Sequence, residues 1–193
     1  YDSRYVKDTG LSAIHQVAEM PLNHLGLVVR YHDINGPLPS VEQLTDVRGV
    51  LTWFQSDAMA DPRGFLKWAD AMLDAGRKFV VVGDLSVAFD LERAKTPQAQ
   101  VDEFWSRLGL RSDGSWRATT YDWRIAAHDD SLVGFERSLG GALPGFPGVT
   151  KVDPSVKSYL TIRRGGNPAT DVELVAIGRR GAYAAPGYLL FSE

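Results

Sequence analysis

Three short apolar runs most constrain what this chain can fold into. LGLVVRYHDI (25–34), VRGVLTWF (47–54) and RKFVVVG (77–83) are rich in Val, Leu and aromatic residues, and they are too short to read as buried helices. Continuous apolar runs of this length suit strands buried on both faces, which is the habit of a parallel sheet. A helix with both ends marked lies between the second and third runs. Asp61 stands at its N-cap, Pro62 at its first position and Gly76 just past its end. Phe65, Ala69, Met72 and Leu73 recur at helical spacing between them, with Trp68 alongside.

Further helices are expected on the same grounds. One runs through LSAIHQVAEM (11–20), capped by Asp8 or Thr9, with Leu11, Ile14 and Ala18 on one face and Pro21 interrupting or restarting it. VEQL (41–44) suits a short helical turn after the turn sequence NGPLPS. Another helix spans 97–108, opened by Thr96-Pro97, with Val101, Phe104, Trp105 and Leu108 on its apolar face and Gly109 as its stop. Strands alternating with helices across short connections imply βαβ units.

The pattern changes near Gly109. Residues 110–150 have weak periodicity, and GGALPGFPG (140–148) reads as a loop. KSYLTIRR (157–164) and VELVAIGRR (172–180) read as strands of a hairpin joined through GGNPATD, with a short strand at 188–192. The expected fold is therefore α/β. A three-layer parallel-sheet half (1–109) carries a mostly antiparallel extension (110–193) packed on the same domain. The 193 residues, 44% hydrophobic and 23% charged, suffice for such a core and exclude wholesale disorder.

Composition removes several function classes. There is no cysteine, so a disulfide framework, a thiolate metal site and a Cys nucleophile are excluded. A net charge of −3 with no basic block argues against a nucleic-acid partner. No run approaches the ~20 apolar residues of a membrane span. The chain starts at Tyr1 without a Met, so a piece of a longer polypeptide, or a processed product, is expected. No nucleotide-binding glycine motif, H-E-x-x-H pair or G-x-S-x-G elbow is present. No cofactor or metal site is expected, and HDD at 128–130 reads as a polar loop or the cap of a helix over SLVGFERSL.

In an open parallel sheet, ligands meet the protein beyond the carboxyl ends of the strands. The first run delivers Arg30, His32 and Asp33 there, the second Gln55, Ser56 and Asp57, and the third Asp84 and Ser86. A strand leading into Tyr1 would deliver Asp2, Ser3 and Arg4 to the same edge. Each residue also has a structural reading. Asp33 suits a cap on the Asn35-Gly36 turn, Gln55–Asp57 a solvated loop with Asx turns, and Gly83-Asp84 a simple strand end. His32 and Asp33 are adjacent and would point to opposite faces of a strand. Trp116, Tyr121 and Trp123 suit either a stacking floor for sugar rings or a staple of the loop to the core.

The stretch from YDSR through HLGLVVRYHDI and VRGVLTWFQSD to GRKFVVVGDL resembles the class I glutamine-amidotransferase-like (flavodoxin-like) fold. It looks like the domain of that type inside PelA-like bacterial exopolysaccharide-processing proteins, where it accompanies glycoside-hydrolase and polysaccharide-deacetylase domains. VELVAIGRRGAYAAPGYLLF is similar to that domain's closing segment. The resemblance implies a nucleophilic Cys on the sharp turn after KFVVVG. The matching residues here are Gly83-Asp84-Leu85-Ser86, and no His and Glu partners match near the C-terminus. It therefore implies a pseudo-enzyme or scaffold in the periplasm or cell envelope, with polysaccharide and the neighbouring domains of a longer polypeptide as its partners; a cysteine-free chain suits the cytoplasm equally, so that compartment stays open.

Three functions stay open. The first is a non-catalytic accessory or glycan-binding domain using Arg30, Asp33, Gln55, Asp57, Asp84 and Trp123. The second is a carbohydrate hydrolase with Asp33, Asp57 and Asp84 as general acid and base. The third is a structural module with a vestigial site.

Overall fold

The computed structural model describes residues 1–118, 122–129 and 145–185. A 3-10 turn (Thr9–Leu11) is capped by the Asp8 carboxylate, which accepts from the Gly10 amide. A π-helical turn (Ile14–Glu19) then runs directly into the short helix α1 (Met20–His24). Pro21 sits in the first turn of α1, where its missing N–H costs nothing, so it restarts the helix. Ile14 is buried, but Leu11 is exposed and shares no core face with it. After the 3-10 turn Val41–Leu44 come strand β1 (Gly49–Phe54), helix α2 (Pro62–Asp74), strand β2 (Lys78–Gly83) and helix α3 (Gln98–Arg107). The Asp61 carboxylate accepts from the Gly64 amide at 2.8 Å and caps α2.

Among the described residues the second half is strand apart from a 3-10 turn at Pro168–Thr170: β3 (Leu110–Arg117), β4 (Trp123–Ala127), β5 (Phe146–Lys151), β6 (Lys157–Arg164), β7 (Val172–Ile177) and β8 (Gly181–Ala184). The central sheet has the order β1-β2-β8-β7-β6-β4. The β1–β2 and β2–β8 pairs are parallel, and the pairs from β8 to β4 are antiparallel. β3 and β5 form a separate antiparallel pair. The architecture is thus α/β, with helices against a mixed sheet and an antiparallel extension. The 110–150 stretch holds β3, β4 and the start of β5, and Phe146–Gly148, expected as loop, are strand. Pro147 is tolerated there because β5 belongs to a two-stranded pair with a free edge. The expected strand at 188–192, the helix over SLVGFERSL, and Tyr121 lie outside the described residues.

One strand expectation fails. Residues 25–34 are not part of any ladder. Leu27, Val29, Tyr31 and Asp33 are half-buried while Val28, Arg30 and His32 are exposed, an alternation like a strand's, but the segment has no strand partner among the described residues. Val28 is 87% exposed, against the expected burial on both faces.

The main core lies between the sheet and the two longer helices. Phe54, Phe65, Phe79, Phe104, Trp105 and Tyr183 form a chain of ring contacts at 5.1–6.2 Å, all edge-to-face. On the opposite face Ile14 packs against Trp53 and Val82. β8 reaches its place beside β2 only because residue 181 is glycine: a Cβ there would stand 1.8 Å from the Phe79 carbonyl oxygen. Gly181→Ala is expected to cost about 3 kcal/mol or more by forcing β8 off β2. Asp61→Ala, which removes only a cap, is expected to cost about 1 kcal/mol. Urea denaturation of the two variants checks both the sizes and their order.

Candidate functional site

The carboxyl ends of β1 and β2 are bound together by loops. The Phe89 amide donates to the Asp57 carbonyl and the Met59 amide to the Phe89 carbonyl, both at 3.2 Å, which ties loop 84–96 to the loop after β1. Ser86, directly after β2, and Arg93, at the far turn of the same loop, both have positive φ (61° and 67°). Strained backbone of this kind persists only where surroundings over-determine it, and it gathers at functional sites. Here the surroundings are visible. The Ser86 amide donates to the Asp84 carboxylate at 2.8 Å, and the Ser86 hydroxyl donates to the Ser56 carbonyl. Asp90 holds the turn around Arg93 by accepting from the Glu92 and Ala94 amides.

A second hydrogen-bonded chain enters from the first residues. Asp33 accepts from the Ser3 and Asn35 amides and the Asn35 side chain, at 2.9–3.1 Å. The Asn35 amide group also donates to Asp2, whose side chain is 1% exposed. Asp2 binds the Arg4 guanidinium, which reaches on to the Ala58 carbonyl at 2.6 Å. Residues 2–4, 33–35, 55–58 and 84–93 therefore form one rim. Arg93 pairs with both Asp57 oxygens at 2.9 and 3.1 Å and lies 4.2 Å over the Phe89 ring. Both partners are about half exposed, so the pair contributes on the order of 0–1 kcal/mol.

The rim carboxylates differ in their electrostatics. Asp33 is partly desolvated, which would raise its pKa, but the hydrogen bonds from Ser3 and Asn35 outweigh this and hold it down at about 2. Asp57 is held below the usual carboxylate range by its Arg93 hydrogen bonds and charge. Asp84 is pushed the other way, first by desolvation and then by the nearby Asp57 charge, with the Ser86 amide opposing. Beneath the rim, burial and then the Asp84 and Glu173 charges raise the pKa of the fully buried Tyr183 hydroxyl.

Of the residues singled out from the sequence, Asp33, Asp57 and Asp84 come to the rim, and Gln55 stands exposed at the end of β1. Arg30 does not join them. It pairs at 2.8 Å with Asp46, ahead of β1 and so toward the strand's opposite end. Trp123 begins β4 on the far edge of the sheet, four strand spacings from β2, or about 19 Å. Its ring packs edge-to-face on Phe146 at 5.2 Å, so it staples the extension to the core. His128 bonds the Thr161 hydroxyl at 2.9 Å between β4 and β6 and makes no triad with Ser86. Among the described residues no group of three or more His, Asp or Glu side chains is placed to hold a metal ion. Asp2, Ser3 and Arg4, expected at this edge, stand on the rim, while Asn35 had been read only as part of a turn and Phe89 and Arg93 were missed. Asx-turn chemistry flags Asn35 and Asp90, but nothing local in AFDLERAK marks Arg93 as a partner for Asp57.

Chemically, the rim offers hydrogen bonds and a guanidinium-on-phenyl platform. Ser86 is buried, 1% exposed, and its hydroxyl donates to the Ser56 carbonyl. An open groove of about 410 Å³ lies between α2 and α3, lined by Arg63, Lys67, Asp70 and Glu103 among others, on the helix layer and not on the strand ends. Among the described residues no helix is long and apolar enough to cross a membrane.

Asp84 gives a pH test. Its folded pKa lies above its unfolded value, so the stability it contributes is full below about pH 4 and is lost as pH rises through the folded value. Asp84→Asn keeps an acceptor for the Ser86 amide and carries no charge. It is expected to be more stable than the parent at pH 7, with the difference closing below about pH 4, measured by urea denaturation at both values. No protein-family model matches the chain, and the search of curated proteins returns no match.

Proposed function

We propose that this chain is a non-catalytic accessory domain on a glutamine-amidotransferase-like frame. It serves a larger exopolysaccharide-processing polypeptide of the bacterial periplasm or envelope and holds glycan at the rim. The observation that carries the reading is the turn after β2. It keeps the sharp backbone that a nucleophile would need, with Gly83 at φ 76° and Ser86 at φ 61°. Yet it presents a buried serine tied to Ser56 and a desolvated aspartate, with no cysteine in the chain. Asp33 accepts three protein donors on Oδ1, and both Asp57 oxygens are engaged by Arg93. Asp84 is half-buried, no cation pairs with it among the described residues, and it supplies an acceptor for a ligand hydroxyl or amine.

A second reading has one observation in its favour. Asp57 is shifted down and Asp84 up, which is the split that separates a general base from a general acid. Against it, both Asp57 oxygens are engaged by Arg93.

Calorimetric titration with N-acetylated and partly deacetylated hexosamine oligosaccharides tests both readings. Weak binding is expected, reduced at least about tenfold by Asp84→Ala, since a charged hydrogen bond is worth roughly 1.5–3 kcal/mol. New reducing ends would establish the hydrolase in its place. Ammonia from glutamine, or no binding to any of these sugars, would overturn the accessory reading.

A further inference from the structure

Arg93 sits in a backbone conformation that its side chain does not favour. Its φ is 67°, in the left-handed region where a Cβ crowds the following carbonyl. Asp90 builds the turn around it. The Asp90 amide donates to the Ala94 carbonyl at 3.0 Å, and the Arg93 amide to the Asp90 carbonyl at 3.1 Å. The Asp90 carboxylate takes the Glu92 and Ala94 amides. Such a turn needs a left-handed residue at 93, and glycine or asparagine fills that place with less strain. The bend therefore gives no reason for an arginine. Nor does stability. The Arg93 and Asp57 side chains are 60% and 49% exposed, and an ion pair so wet adds little. A cation–ring contact at an exposed site adds little more. What residue 93 contributes is the placing of its guanidinium.

That group is held flat. Nη1 and Nη2 donate to the two Asp57 oxygens at 2.9 and 3.1 Å, and the guanidinium carbon lies 4.2 Å over the centre of the Phe89 ring. Fixed on one face and at the fork, it meets a ligand already ordered, which lowers the entropy lost on binding. A guanidinium has more N–H groups than Arg93 commits to Asp57, and the rest have no acceptor among the described residues. Each Asp57 oxygen likewise keeps an acceptor position beyond its bond to Arg93. The pair is thus an array of donors and acceptors side by side, with its own charges cancelled. The loop around it carries Asp84, Asp90 and Glu92 against Lys95. Asp84 stands near enough for the Asp57 charge to act on it.

A ligand group that matches this array both gives and takes hydrogen bonds and carries no charge. A carboxylate only accepts, and it meets the charges of Asp57 and Asp84. An ammonium only donates, and it meets the guanidinium. A hydroxyl does both. We propose that Phe89, Arg93 and Asp57 form a subsite beside Asp84 for the hydroxyls of a neutral sugar unit, each hydroxyl accepting from Arg93 and donating to Asp57. The subsite rests on the glycan reading of the rim and narrows it to neutral sugars over acidic ones.

Calorimetric titration with a neutral N-acetylhexosamine tetrasaccharide and with a uronate tetrasaccharide tests this on the parent, Arg93→Gly, Arg93→Lys and Asp84→Ala. The parent is expected to bind the neutral sugar at least about tenfold more tightly than the uronate, which meets like charge. Arg93→Gly is expected to weaken neutral-sugar binding at least about tenfold. Its urea midpoint is expected to hold or rise, since glycine relieves the left-handed strain. Arg93→Lys keeps the charge and loses the planar fork, and a similar weakening is expected. Unchanged binding in either Arg93 variant overturns the subsite; if Asp84→Ala still weakens binding, the glycan reading stands without it. A lowered urea midpoint in Arg93→Gly also overturns the subsite, because the arginine then serves the fold. So does a preference of the parent for the uronate. Binding of neither sugar to the parent overturns the subsite and the glycan reading together.

Discussion

The pairing of β8 with β2 is the constraint on which the rest of the structure depends. Only two of the parallel strands, β1 and β2, come from the first half of the chain. The third is a four-residue strand about a hundred positions later. It enters through the Phe79 amide donating to the Arg180 carbonyl at 3.0 Å and through Gly181, where no side chain fits. Once there, Tyr183 closes the ring chain from Phe54 to Trp105, and β7 and β6 follow by antiparallel pairing. One sheet thereby spans both halves, and the ends of β1 and β2 gain a rigid floor.

That floor lets the rim carry backbone strain. Ser86 and Arg93 sit at positive φ because side-chain and backbone hydrogen bonds from Ser56, Asp84 and Asp90 hold them there. The same bonds use up most of the rim's polar capacity. Asp33 and Asp57 are stabilised as anions by their donors, and Asp84 is left desolvated beside them. A surface of this kind is better suited to holding a polar ligand than to moving its protons, since proton transfer needs a group free to change its charge.

The segment 25–34 shows where sequence and structure disagree most usefully. LGLVV has the composition of an interior strand, and the fold leaves Val28 in solvent. The alternation of burial reconciles the two: the local conformation is that of a strand, with no ladder partner among the described residues. A propensity can be satisfied in φ and ψ while the hydrogen bonds that define a sheet are unmade.

Local signals determined the elements whose ends and faces are written in neighbouring residues. Asp61, Pro62 and Gly76 bracket α2, Phe104 and Trp105 mark the buried face of α3, and the β6 and β7 runs read as a hairpin because hydrophobic runs and turn residues act over a few positions. The placing of Asp57 and Asp84 at one edge was legible too, since it follows from strand direction, whereas Asp33 reaches the rim through its bonds with Ser3 and Asn35. Tertiary structure decided everything that depends on distant partners. It placed β8 beside β2, drew β3 to β5 out of a stretch with no clear period, sent Arg30 to Asp46 and Trp123 to Phe146, and matched Arg93 to Asp57. The physical reason is the same in each case. Burial and ion pairing are properties of pairs brought together by the whole chain, while caps, turns and periodicity are properties of a few residues in a row.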